Sequence, residues 1–96
     1  MAKATLIVRE RRIDATGGTM EIKVWRVPNP AQPSRHDYKY SLFFGRQGVR
    51  LVGFDNELGK GDHMHIAGAE KPYTFTSLDQ LLEDFFAEVR KAGGEP

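Results

Sequence analysis

The chain carries two histidines two residues apart, Asp62-His63-Met64-His65. In an extended stretch side chains alternate with period two, so His63 and His65 project to one side and Asp62 and Met64 to the other. Two imidazoles on one side suit two chemistries. They can hold zinc or another divalent ion, with Asp55 or His36 as a third ligand. They can also act as general base and acid, because an unperturbed imidazole titrates near neutral pH. His-x-His is an unspecific pattern, and an incidental structural role stays open beside both. Upstream, Gly59-Lys60-Gly61 sets a lysine between two glycines, where backbone and ammonium can approach a phosphate. The full Walker spacing is missing, and a flexible surface turn explains the same residues. Asp55-Asn56 reads either as turn chemistry or as a functional carboxylate at a strand end.

A second group lies at Arg35, His36, Tyr38, Lys39 and Tyr40. Aromatic rings interleaved with cations suit single-stranded RNA, whose bases stack and whose phosphates pair with positive charge. Arg35, His36, Tyr38 and Lys39 are the RNA-contacting candidates. The simpler account makes the tyrosines core-edge residues and Lys39 a solvated side chain. Arg9, Arg11 and Arg12 add cations along the first strand, where like charges also protect a sheet edge. Other chemistries lack their signatures. There is no G-x-S-x-G, no cysteine nucleophile, no dinucleotide fingerprint and no zinc-finger spacing.

The elements that must position these residues follow from periodicity. Residues 4–13 read as a strand, with Ala4, Leu6 and Val8 on one face. Residues 14–19 contain a Gly17-Gly18 turn signal. Residues 20–27 alternate, Met20, Ile22 and Val24 against Glu21, Lys23 and Trp25. Residues 28–37 hold three prolines and form an exposed connection. Residues 38–45 are a third strand, with Tyr38, Tyr40, Leu42 and Phe44 on one face. Residues 49–56 are apolar on both faces near their middle and form a central fourth strand. Residues 54–68, beginning at the end of that strand, read either as a catalytic or metal-binding loop or as a polar connection, and Tyr73-Thr74-Phe75 could add a short fifth strand. Ser77 is an N-cap with Gln80 three residues on. Leu78, Leu81, Leu82, Phe85, Phe86 and Val89 then form one apolar stripe of a helix that Gly93-Gly94 ends. The expected fold is α+β, a four- to five-stranded, mainly antiparallel sheet with a C-terminal amphipathic helix packed on one face. Residues 1–96 form a single domain with a flexible tail at 93–96.

Ninety-six residues support one core. A 40% hydrophobic, 28% charged composition is that of a globular domain. No apolar run approaches the ~20 residues that cross a bilayer, so no membrane partner is expected. The N-terminus has no secretory pattern, and cysteine is absent, which fits a cytoplasmic location. Residues 1–76 carry twelve basic and eight acidic side chains, residues 77–96 two and five. A basic body with an acidic helix can accept an anionic ligand on one side.

The segment HDYKYSLFFGRQGVRLVGFDNELGKGDHMH, the later PYTF and the Leu/Phe-rich terminal helix resemble the TumE-like toxin family. The similarity runs from KATLIVRERRID through LLEDFFAEV. It is most specific at Tyr38-Lys39-Tyr40, Asp55-Asn56 and residues 59–65. The resemblance implies a toxin of a prokaryotic toxin–antitoxin pair, beside an antitoxin with a DNA-binding domain. By analogy with small toxins of this build, it implies action on RNA. In that reading His63, His65 and Asp55 handle protons at a ribose 2′-hydroxyl and a leaving oxygen, Lys60 steadies the phosphate charge, and no cofactor is needed. Two alternatives stand beside it. One is a non-enzymatic module that binds its antitoxin or target. The other is a divalent-metal nuclease using His63, His65 and Asp55. A homodimer formed across a sheet edge would bury apolar residues such as Trp25 and Phe43.

Overall fold

The structure, a computed structural model, describes residues 4–28, 36–57 and 59–96. Six strands run in sequence order through one antiparallel sheet. They are β1 (Thr5–Ile13), β2 (Thr19–Arg26), β3 (Tyr38–Arg46), β4 (Val49–Glu57), β5 (Gly61–Ile66) and β6 (Ala69–Pro72). One helix, α1 (Leu78–Lys91), follows and packs on the sheet. The sheet thus has six strands rather than four or five. The extra pair arises because most of residues 54–68 is not a connection. Asp55 and Asn56 lie inside β4, as expected for the strand over 49–56, and 61–66 form β5. Residues 73–77 are irregular, so the strand expected at Tyr73–Phe75 is not formed. The proline-rich connection lies mostly outside the described residues.

Two hairpins close through two-residue turns with positive φ at both central positions. These are Gln47-Gly48 (φ 51 and 78) and Ala67-Gly68 (φ 50 and 85). Such turns match the right-handed twist of the strands they join. The second one returns the chain from β5 to β6. The edge strand β6 is four residues long, exposed, and ends in Pro72, features that blunt an edge against further pairing.

One face of the sheet is buried under α1. Met20, Ile22 and Val24 of β2, Tyr40, Leu42 and Phe44 of β3, and Val52 and Phe54 of β4 form the core with Leu81, Phe85 and Val89. Leu78, Leu82 and Phe86 are half-buried beside them, so the apolar stripe expected of the helix is the face it buries. Phe54 meets Phe85 edge to face, with ring centroids 6.0 Å apart. Burying each large side chain contributes about 1.5–3 kcal/mol, against about 1 kcal/mol for an N-cap. Packing, rather than capping, therefore holds the helix. The cap is present in half of its expected form. Ser77 Oγ accepts from the Gln80 N–H at 3.0 Å, but the Gln80 amide turns to Asp84.

Two bulges decide which side chains face away from the helix. One falls between Leu6 and Val8, so Leu6 pairs with Trp25 while Val8 pairs with Val24. The single face expected for Ala4, Leu6 and Val8 is broken there, because an extra residue reverses the alternation. The other falls at Phe44/Gly45, where Phe44 pairs with Val52 but Gly45 with Arg50.

The C-terminus is fastened. Gly93 N donates to Arg90 O at 3.0 Å and Gly94 N to Val89 O at 2.8 Å, the paired bonds of a Schellman motif. Arg46 donates to the carbonyls of Ala92 and Gly93, and Glu95 N donates to the Asp14 carboxylate. The bonds from Thr16, Glu95 and Gly18 hold the Asp14 carboxyl well below the usual carboxylate range. A methyl group on Gly94 would lie 2.6 Å from both the Phe44 ring and Val89 Cγ1. Gly94→Ala should therefore cost about 1–3 kcal/mol through overpacking. Chemical denaturation would measure it, and an unchanged midpoint would contradict this packing.

Candidate functional site

The antiparallel register of β4 and β5 builds the site. Asp55 pairs with His63 and Gly53 with His65. Val52, Phe54 and Asn56 point toward the helix, so Asp55 and Gly53 point to the other face, with His63 and His65 beside them. The two histidines therefore share a face, as their spacing predicts. Asp55 Oδ1 contacts His63 Nε2. His63 Nδ1 lies 3.1 Å from the Gly61 carbonyl. A carbonyl only accepts, so Nδ1 carries a proton and Nε2 is the atom turned to the carboxylate. His63 is 5% exposed, with a protein group at each ring nitrogen. His65 stands edge-on to it, ring centroids 5.1 Å apart at 78°. Ligand-capable atoms of Asp55, His63 and His65 all lie within 4.8 Å of one another. Glu70 Oε1 is 3.8 Å from His63 Nε2.

The remaining candidates separate. Lys39 lies on the same open face, paired with Trp25, and its ammonium donates to the Asn56 carbonyl. Lys60 is exposed and lines an open groove with His63, Glu70 and Lys71. His36 and Tyr38 belong to the opposite, helix-side face. The His36 ring stacks on Phe75 at 3.8 Å and its Nε2 lies 2.7 Å from Asp62 Oδ2. The Tyr38 hydroxyl accepts from Arg26 at 2.9 Å. Arg35 lies outside the described residues. Asn56 is not a turn former. Its buried amide accepts from Tyr40 N at 2.9 Å and donates to Tyr38 O at 2.8 Å. It thereby continues the β3–β4 ladder beyond the last backbone pair, Ser41 with Asp55.

Two neighbours of the cluster escape sequence reasoning. Glu70 pairs with His65 across the β5–β6 hairpin, and only the Ala67-Gly68 turn signals that return. Arg50 reaches the open face through the bulge. A methyl group built on Gly53 would meet Arg50 Cδ at 3.0 Å and Nε at 3.5 Å, so the Arg50 side chain crosses Gly53, between its pairing partners Phe43 and His65. Simple alternation would have put Arg50 on the Val52 face. On the same open face lie Arg9 and Arg11 of β1 with Lys23 and Trp25 of β2, and Lys39 and Phe43 of β3. Arg11 is 3.4 Å from Glu21, an exposed pair that contributes little stability.

The arrangement defines an α+β protein with a helix on one sheet face and a carboxylate–imidazole cluster among cations on the other. The family model described as "Toxin TumE" matches residues 3–92, and the chain belongs to that toxin family. Membership in a toxin family implies an antitoxin partner. No curated protein and no solved structure matches the chain. No helix among the described residues is long and apolar enough to cross a membrane.

Behind the cluster, Asp62 turns to the helix side and accepts from the Tyr40 hydroxyl at 2.7 Å. Burial, and then the Asp62 carboxylate, push the Tyr40 hydroxyl far above its ordinary value. Burial and Asp84 raise Tyr73 as well. A raised folded value means this stability is complete below about pH 10, where tyrosine ionises in the unfolded chain. It declines as pH climbs toward the folded value. Denaturation midpoints should thus fall above pH 10, and Tyr40→Phe should flatten the fall. Identical alkaline slopes in the two chains would exclude the tyrosine as its source.

Proposed function

We propose that this chain is the toxin of a toxin–antitoxin pair that binds single-stranded RNA on its open sheet face and cleaves it at Asp55, His63 and His65. The observation that carries the reading is their placement. The cluster sits on the face the helix leaves uncovered, at the end of a field of cations and aromatic side chains. Trp25 and Phe43 are half-buried there, and their rings would stack with bases. Arg9, Lys23 and Lys39 flank them and would meet phosphates. Stacking and ion pairing are the two general means of holding single strands without reading sequence.

A strand on this path brings a phosphodiester over the cluster. Attack by the ribose 2′-oxygen breaks the bond to the 5′-oxygen. The 2′-hydroxyl proton leaves to the cluster, and the departing oxygen is protonated. Arg50, lying over Gly53, and Lys60 at the groove would offset the negative charge that grows on the phosphate. RNA as target makes the cytoplasm the site of action. An antitoxin with its own DNA-binding domain would neutralise the chain.

Growth inhibition on expression should be relieved by His65→Ala. Trp25→Ala should weaken binding of a short oligoribonucleotide about tenfold, as expected from about 1–3 kcal/mol per stacked base. Wild-type growth inhibition by His65→Ala would sink the catalytic assignment. A purified chain that binds an antitoxin tightly yet neither binds nor cuts RNA would favour the protein-interaction module instead.

A further inference from the structure

We infer that Asp55, His63 and His65 bind a divalent transition-metal ion, zinc by ligand class. Three features of the cluster point there independently of any RNA. First, the donors are of the right kind and already gathered. Two imidazoles and a carboxylate from two paired strands place their ligand atoms within 4.8 Å of one another. A tetrahedral zinc site, with bonds near 2.0–2.1 Å, sets its ligands about 3.3 Å apart. Rotation of these side chains would open the Asp55–His63 contact and close the wider separations without moving the strands.

Second, the His63 tautomer is fixed by its far nitrogen. The Nδ1 proton is directed at the Gly61 carbonyl, 3.1 Å away, which leaves Nε2 as the ligand atom in the neutral ring. A backbone carbonyl holding the second ring nitrogen is the outer-shell arrangement that orients metal-bound histidines. Third, the group facing Nε2 is an acceptor. Asp55 Oδ1 is buried and accepts no hydrogen bond, and Glu70 Oε1 stands 3.8 Å from the same nitrogen. With its proton on Nδ1, the ring would turn a lone pair on Nε2 toward the Asp55 carboxylate, with Glu70 near, and a cation there would offset that repulsion. A proton on Nε2 would satisfy the Asp55–His63 pair alone. It gives no role to His65, whose ring lies beside that pair.

Two imidazoles and one carboxylate leave a coordination position open, as catalytic zinc sites do. The cluster lies on the uncovered face, with the Asp55 side chain 22% exposed. Under the RNA reading above, an ion there would polarise the scissile phosphate and supply a water of lowered pKa to take the 2′-hydroxyl proton in place of the coordinated side chains. The site itself does not depend on that reading.

The test is cobalt(II) and zinc titration of the chelator-dialysed chain, followed by visible absorption and calorimetry. The expected result is one ion per chain, with cobalt bands displaced by zinc. Affinity should drop at least tenfold in His65→Ala and in Asp55→Asn. Arg90→Ala, exposed on the helix and outside the site, should bind as wild type does. Circular dichroism would establish that each variant is folded. His65 is half-buried on an open face, so its loss spares the core. No cobalt bands, or equal affinity in wild type and both ligand variants, would overturn the inference. RNA cleavage at full rate in strong chelator by a chain that takes up no zinc would overturn the inference and leave the RNA reading standing. Zinc uptake by a chain that binds no RNA would do the reverse.

Discussion

A single helix covers one face of a six-stranded sheet, and the rest of the molecule answers to that asymmetry. Leu81, Phe85 and Val89 of α1 are wholly buried against Tyr40, Leu42, Phe44, Val52 and Phe54. Because side chains alternate along a strand, every residue committed to that core sends its neighbours to the opposite side. The core thus decides where Asp55, His63 and His65 emerge. A one-residue slip between β4 and β5 would send the histidines into the helix interface.

The hairpins hold that register. Asn56 extends the β3–β4 ladder with its side-chain amide and fixes the strand position of Asp55 next to it. The Gly61 carbonyl fixes the His63 ring. Asp62, on the other face of the same strand, ties Tyr40 and His36 to β5. Thus β5 is anchored by hydrogen bonds on its helix side while its other side presents imidazoles. The bulge at Phe44/Gly45 adds Arg50 to that presentation by reversing the alternation within β4.

Much of this could be read from residue order. The 3.6-residue spacing of Leu and Phe in 78–89 defines both the helix and its buried face. Strict alternation in β2 and β3 separates Ile22 from Lys23 and Leu42 from Phe43, as found. The same-side placement of His63 and His65 needed only an extended backbone. What was hidden has physical causes. Gly-Lys-Gly and the polar residues after it read as loop, yet Gly61–Ile66 pair with β4 as a full strand. β6 has four exposed residues and no apolar signal, so the sheet reads shorter than it is. Bulges leave no periodic trace, which is why Leu6 and Arg50 lie on faces that alternation does not give them. His36 and Tyr38 adjoin Lys39 in sequence but sit across the sheet from it, stacked with Phe75.

The central claim of the proposed function is that the open face binds RNA, and backbone amide NMR tests it directly. A short oligoribonucleotide titrated into the isotope-labelled chain should shift resonances of Lys23, Trp25, Lys39, Phe43, Gly53, His63 and His65, the residues of the open face. Amides along the solvent side of α1, such as Glu83, Ala87 and Arg90, should stay in place. Perturbations concentrated on α1 with the open face unmoved would contradict the account.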